Sequence, residues 1–145
     1  MQIALRNLLH TFGGERVFPR KIMDLNDLLE QIRQGLPPQA MDALMDTYSL
    51  TAEDLAKPLG VSLSTLKRRH RSQHLNPSVS DRLYRIANIL TLATETLGNQ
   101  DKAVRWLHKP NRALSGDTPL SRLDTQIGYE QVEDILFRIE HGIAA

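Results

Sequence analysis

Apolar residues recur between positions 79 and 97 in alternating steps of four and three, which is the spacing of one face of an α-helix. This face is formed by Val79, Leu83, Ile86, Leu90, Ala93 and Leu97. A second apolar set lies outside it, at Ala87, Ile89 and Leu92. Because a helix that is apolar on more than one side is covered on more than one side, the pattern predicts a long central helix in the core. Ser78 and Asp81 have the spacing of a capping box at its start, and Gly98 is suited to end it.

Shorter apolar patterns before the central helix predict two further helices. Asp24 is suited to cap the first of them, which Gly35 would end. The residues expected to face the core in these two helices are Leu25, Leu28, Leu29, Ile32, Met41, Leu44, Met45 and Tyr48. Residues 1–23 have no such period, and we leave open whether they form an arm, a short helix or a partly disordered segment.

Cap signals after the central helix predict three more helices. Asn99 is suited to begin the first, in which Trp106 is expected to anchor the core. Thr118 and Pro119 predict the start of the second, which Gly128 would close. The last helix is expected from about residue 129, with Val132, Ile135, Leu136 and Ile139 facing inward.

Residues 51–72 have the pattern of a helix-turn-helix. A capping box at Thr51, a glycine turn at Gly60 and a cap at Ser62 predict a second helix from Leu63 to about Ser72. The side chains that this helix would present to the major groove of DNA are Ser62, Leu63, Ser64, Lys67, Arg68 and Arg71. Such cations and hydroxyls suit phosphates and base edges, and a leucine suits the thymine methyl group. Arg69 stands where an apolar residue is usual, so we expect it either to pair with an acid or to loosen the packing.

The charge distribution is uneven although the net charge of the 145 residues is only +1. Residues 61–112 carry ten basic and three acidic side chains, whereas residues 113–145 carry two basic and six acidic ones. A basic middle and an acidic end predict two surfaces for two kinds of partner. The sequence also has no cysteine, no membrane-length apolar run and no export signal that we can identify, so we expect a cytoplasmic protein without a membrane partner.

Enzymatic and metal chemistry find little support in the residue pattern. His70 and His74 have the spacing of a metal-binding pair, but neither the accompanying glutamate nor a third ligand is evident. No arrangement of nucleophile and base and no phosphate-binding loop is visible. We therefore expect no catalytic residues, no metal and no cofactor.

Several short motifs in a fixed order resemble the Xre/MbcA/ParS family of antitoxins, the partners of RES-domain toxins. The resemblance covers residues 28–142. It depends on Gly35-Leu36-Pro37, Leu55-Ala56, Thr65-Leu66, Arg68-Arg69, Ser80-Asp81-Arg82-Leu83, Ala103, Trp106-Leu107, Pro110-Asn111, Leu114, Gly116, Thr118-Pro119-Leu120, Gly128, Val132 and Glu140-His141-Gly142. Ser115-Gly116 stands where we expect Gly-Gly, a departure that should stiffen the loop.

The resemblance implies an all-α, dimer-forming antitoxin that binds operator DNA and sterically blocks a RES-domain toxin, a protein of ADP-ribosyltransferase-like fold that consumes NAD⁺ or modifies a protein. We expect an N-terminal arm at 1–23, an Xre-like helix-turn-helix region at 24–78 and a toxin-binding and dimerisation domain at 79–145, joined through the central helix. The residues expected to bind the toxin are Asn111, Arg112, Leu114, Gly116, Pro119, Gly142, Ile143, Ala144 and Ala145. The alternative is a stand-alone helix-turn-helix transcriptional regulator whose C-terminal part only dimerises.

Overall fold

The computed structural model describes residues 3–69 and 72–143. Within these ranges helices are the only regular secondary structure. The α-helices are α1 (Leu5–Thr11), α2 (Leu25–Gln34), α3 (Pro38–Tyr48), α4 (Ala52–Leu59), α5 (Leu63–Lys67), α6 (Pro77–Leu97), α7 (Gln100–Leu107) and α8 (Gln126–Glu140). Short 3-10 helices span Glu15–Val17, Arg112–Leu114 and Leu120–Asp124. The all-α class predicted from the sequence is confirmed.

Helix α6 is the predicted central helix, and it contacts α1, α2, α4, α7 and α8. Its two apolar sets are both covered, since Ile86, Ile89 and Leu90 are fully buried. Its start differs from the prediction. Asn76 is the N-cap, with its side-chain oxygen accepting a hydrogen bond from the Val79 amide at 2.8 Å. The predicted capping box of Ser78 and Asp81 is therefore wrong, because the helix already begins at Pro77, whose fixed φ suits the first helical position.

The N-terminal segment is part of the core over residues 3–23. Helix α1 packs against α6 and buries Leu8 and Leu9, and Phe12 and Phe18 meet edge to face behind it, with their ring centroids 6.2 Å apart. The hydroxyl groups of Thr11 and Thr91 form a buried hydrogen bond of 2.6 Å between α1 and α6. Of the three possibilities left open by the sequence, the described residues form a short helix.

Two predicted apolar stripes face the core only in part. In α2, Leu28 is buried, but Leu25 and Leu29 are 62% and 42% exposed, so their predicted inward placement is wrong. In α7, Trp106 is only partly buried and packs at the edge of the core, where Ala103 and Leu107 are fully buried. None of the helices in the described ranges combines the length and the apolar character needed to cross a lipid bilayer.

The segment between α7 and α8 also differs from its prediction. Thr118 and Pro119 lead into the 3-10 helix Leu120–Asp124, and Gly128 lies inside the first turn of α8. Thr125 is the N-cap of α8 and accepts a hydrogen bond from the Gly128 amide at 3.0 Å. Gly128 therefore does not close a helix, and α8 starts before the predicted residue 129. A side chain at Gly128 would clash with the Arg122 carbonyl, which explains why a glycine stands there.

Candidate nucleic-acid and partner surfaces

Helices α4 and α5 and the turn between them form the predicted helix-turn-helix. Thr51 and Asp54 make a reciprocal capping box, with bonds of 3.2 Å and 2.9 Å. Gly60 has φ 70° and ψ 28°, the left-handed conformation that glycine adopts without strain. Ser62 caps α5 by accepting a hydrogen bond from the Thr65 amide at 3.1 Å. The crossing of the two helices is filled from inside by Leu55, Leu59 and Leu66, which are all buried.

Helix α5 is shorter than predicted, because it ends at Lys67 and not near Ser72. Arg68 is its C-cap, and its Nε donates to the Ser64 carbonyl at 3.2 Å. Arg69 then turns toward α3, where its Nη2 lies 2.5 Å from the Asp42 carboxylate. Of the two possibilities raised for Arg69, the structure confirms pairing with an acid.

Most of the residues predicted to contact DNA lie on the outer side of α5. Ser62, Ser64, Lys67 and Arg68 are exposed, and Leu63 is half-buried. Lys67 forms an ion pair of 3.2 Å with Glu53 of α4, in which both side chains remain more than half exposed. Arg71 lies outside the described residues. The described part of this surface thus offers hydroxyls and cations to solvent around the short helix.

Residues 111–117 form a loop that closes on itself, which we call the closed loop. The Asn111 amide donates to the Asp117 carbonyl, and the Gly116 amide donates to the Asn111 carbonyl, both at 3.0 Å. The Asn111 side chain accepts a third bond from the Ala113 amide at 2.9 Å. Ser115, which stands in place of the expected glycine, adopts a left-handed conformation with φ 56°. These bonds fix the backbone of the loop without any partner.

Arg122 fastens the closed loop to α8, and this role was not recognised from the sequence. Its Nε donates to the Asp117 carboxylate at 2.9 Å, and its Nη2 donates to the Leu114 carbonyl at 2.7 Å. Its Nη1 reaches Gln131 of α8, also at 2.7 Å. One guanidinium group therefore binds the loop at Asp117 and Leu114 and α8 at Gln131. The forked, planar shape of the arginine side chain allows these three bonds at once.

The residues predicted to bind a toxin fall into two groups. Arg112, Gly116, Gly142 and Ile143 are exposed and Asn111 is half-buried, whereas Leu114 and Pro119 are buried. The remaining two, Ala144 and Ala145, lie outside the described residues.

The end of α8 adds exposed apolar surface at Phe137 and Ile139, which the sequence did not indicate. Phe137 and Ile139 are 38% and 37% exposed, so the predicted inward placement of Ile139 is wrong. The Phe137 ring stacks on His141, with the centroids 4.1 Å apart, and Ile143 follows at 51% exposure. The acidic residues Glu130, Asp134 and Glu140 are exposed on the same helix. None of these acids lies in the first turn of α8.

An ion pair joins the helix-turn-helix to α7. His108 Nε2 lies 3.1 Å from the Asp54 carboxylate, and its Nδ1 bonds the Val104 carbonyl at 2.9 Å. Partial burial disfavours the charged imidazolium, but the bonds to Val104 and Asp54 outweigh this effect and raise the pKa of His108. Burial likewise opposes ionisation of Asp54, but its bonds to Thr51 and His108 lower the pKa of that carboxyl. The pair therefore favours both charged forms.

The two surfaces are held in one body by a shared core. Helix α4 packs against the 3-10 helix Leu120–Asp124, which carries Arg122, and both pack against elements that contact α6. The surface around α5 and the closed loop are therefore joined by direct packing as well as by the central helix.

Metal ligation finds no support in the described part of the chain. No group of three or more His, Asp and Glu side chains there could hold a metal ion. His74, one member of the pair noted in the sequence, bonds the Gly35 carbonyl through Nδ1 at 2.8 Å, and His70 lies outside the described residues.

Two family models match adjoining parts of the chain. Residues 27–88 match the antitoxin Xre-like helix-turn-helix domain, and residues 92–142 match the antitoxin Xre/MbcA/ParS C-terminal toxin-binding domain. The two matches meet within α6, so the central helix contributes to both domains.

Three curated proteins named antitoxin Xre are similar to this chain. The protein from Pseudomonas putida is 46% identical over 83 residues, which are 57% of this chain and 52% of that relative, so the alignment spans about half of its length. The protein from Photorhabdus laumondii is 29% identical over 79% of this chain and 78% of its own, and the one from Yersinia enterocolitica is 27% identical over 80% of each. With both domains matched in order on an all-helical fold, the chain belongs to the Xre-type antitoxins.

Proposed function

We propose that this antitoxin binds and sterically blocks a cognate RES-domain toxin and represses its own operon through the helix-turn-helix. The observation that carries the proposal is that the two domains present separate exposed surfaces, a basic one around α5 and an acidic, apolar-edged one at the end of α8. Inhibition by occlusion requires no chemistry from this chain.

The toxin surface combines the closed loop with the end of α8. The internal bonds of the loop and the Arg122 contacts leave little backbone freedom to lose on binding, which favours affinity. Phe137, Ile139 and Ile143 supply an exposed apolar edge of the kind that partners bury. The exposed acids of α8 suit a cleft built for an anionic dinucleotide, because such a cleft is lined by cations.

Growth rescue tests the toxin assignment. The chain is co-expressed with the product of the neighbouring open reading frame, which the proposal expects to be a RES-type toxin. Phe137→Asp with Ile143→Asp should abolish rescue, because two charges are placed on the apolar edge. Ile127→Asp is the matched control, since Ile127 is an apolar residue of the same helix that is 71% exposed near the other end. The assignment would be overturned if the double variant still rescued growth, or if only the Ile127→Asp control failed to rescue it.

Operator binding tests the second half of the proposal. Lys67→Ala with Arg68→Ala should weaken binding to the promoter fragment of its own operon and flatten the dependence of affinity on salt, because each phosphate contact releases about one counterion. Lys102→Ala with Arg105→Ala removes the same charge from α7 and should leave the salt dependence unchanged. The measurement is made with and without the toxin. Operator binding without growth rescue would instead favour the stand-alone regulator.

We infer further that the DNA-binding form is a homodimer. Helix-turn-helix proteins commonly read two half-sites about 34 Å apart with two copies of the recognition helix. Sedimentation of the protein alone and on the promoter fragment tests this, and a single copy on DNA would contradict it.

A further inference from the structure

Arg82 lies across the turn of the helix-turn-helix, although it belongs to the central helix. A Cβ built on Gly60 would lie 2.5 Å from the Nη1 atom of Arg82, 3.0 Å from its Cζ and 3.5 Å from its Nε. The guanidinium group therefore covers the Cα of Gly60 with most of its atoms. These three Arg82 atoms are the nearest neighbours of the built Cβ.

The guanidinium of Arg82 has no internal partner among the described residues. It forms no hydrogen bond or ion pair there, whereas Arg85, one turn further along α6, bonds Asp81 at 3.2 Å and Gln126 at 3.1 Å. Arg82 is half-buried, so its stem is covered while the charged end keeps access to solvent. A planar cation with free donors is the group that proteins use to bind phosphate.

The position of this cation fits the edge of a DNA interface. Gly60 precedes Ser62, the N-cap of α5, by two residues, and two residues span at most about 7 Å. The major groove is about 12 Å wide and is bordered by two phosphate backbones. A cation so close to the start of a helix that enters the groove can reach a bordering phosphate.

We propose that Arg82 is a phosphate contact in the operator complex, so that the DNA interface extends from the helix-turn-helix onto the central helix. This inference rests on the proposed operator binding. Because α6 is fixed in the core, a contact from Arg82 would set the orientation of α5 in the groove, which is the role of backbone contacts. A purely structural role, in which the side chain only covers the turn, gives a different result in the following experiment.

Arg82→Gln and Arg82→Met both keep an unbranched side chain at this position and remove the charge. Affinity for the promoter fragment is measured between 50 and 200 mM salt, with thermal unfolding as a check on the fold. If Arg82 binds one phosphate, the slope of log affinity against log salt falls by about 0.9, so the wild type loses about 3.5-fold more affinity than the variants over this range. Arg82→Lys should restore most of the slope.

Arg85→Gln is the matched control, because this arginine of the same helix is already paired within the chain. Its salt slope should equal that of the wild type. An unchanged slope in both Arg82 variants would overturn the inference, even if they unfold more easily, while operator binding by the wild type would stand. A wild type without salt-dependent binding to its promoter would overturn the operator function itself, and the inference with it.

Discussion

At the scale of single residues, Ser80 links the start of α6 to the turn between α2 and α3, which is distant in sequence. Its hydroxyl is fully buried near the start of α6 and accepts a hydrogen bond from the Leu36 amide at 2.8 Å. The Leu36 carbonyl in turn accepts from the Leu75 amide at 2.9 Å. A side chain at Gly35 would clash with the Leu75 carbonyl, so the backbone segments around Gly35 and Leu75 pack as closely as glycine permits. The segment after the helix-turn-helix is therefore fixed by one side chain and by backbone contacts.

Replacing this hydroxyl tests its contribution to stability. Ser80→Ala leaves the Leu36 amide buried without a partner, which costs about 1–3 kcal/mol of unfolding free energy. Urea denaturation followed by circular dichroism measures the change. Ser78→Ala, two residues earlier on an exposed position of the same helix, should stay within about 0.5 kcal/mol of the wild type. Equal effects of the two substitutions would contradict the assignment.

At the scale of helices and turns, the sequence predicted the features that depend on residues close together in the chain, such as helix caps. The caps at Thr51, Ser62 and Asn99 are confirmed, because each capping bond spans only three positions and is visible in the sequence. The start of α6 was misplaced because two patterns overlap there. Ser78 has the spacing of a capping box, but Asn76 followed by proline is the signal that the helix uses.

Features that depend on distant residues could not be predicted in the same way. Gly128 was interpreted as a helix end, whereas a glycine is needed there because the Arg122 carbonyl leaves no room for a side chain. Leu114 was assigned to the toxin surface although it is buried, since the sequence does not show which side of a loop faces the core. The pairing of His108 with Asp54 joins residues 54 positions apart, and no local pattern announces it.

That ion pair makes the stability of the junction between α4 and α7 depend on pH. The pKa of His108 is raised above its ordinary 6.5, so its contribution is fully present below about pH 6.5 and is lost as pH rises through the raised value. The pKa of Asp54 is lowered from 3.8, so its contribution is present above that value and is lost in stronger acid. The pair therefore stabilises the fold most between these two values.

His108→Gln should accordingly destabilise the protein more at pH 5.5 than at pH 8.5. The difference is about 0.2–1 kcal/mol, the usual range for a solvent-exposed pair. Urea denaturation at both pH values measures it. Lys67→Gln is the control, because it breaks an ion pair between α5 and α4 that contains no histidine. A larger effect of His108→Gln at pH 8.5 would show that the charged pair does not stabilise the junction.

At the scale of the whole molecule, the two matched domains share one apolar core. The buried residues from α1 to α8 form a single cluster, and α6 contacts helices of both domains. Removal of residues 113–145 would expose the faces of α4 and α6 that now pack against the 3-10 helix Leu120–Asp124 and α8. Deletion of the C-terminal part would therefore confound loss of the proposed toxin surface with loss of the fold, and point substitutions separate the two.

A shared core predicts one cooperative unfolding transition. Trp106 is the only tryptophan and lies in α7, so its fluorescence reports the toxin-binding domain, whereas circular dichroism reports all helices. Because the domains bury apolar surface against each other, neither should unfold before the other, and the two signals should give the same midpoint in urea. Leu83→Ala, which creates a cavity at a fully buried position of the shared helix, should move both midpoints together to lower urea, with a loss of about 2–5 kcal/mol. A dichroism signal that falls before the fluorescence changes would show instead that the helix-turn-helix unfolds on its own.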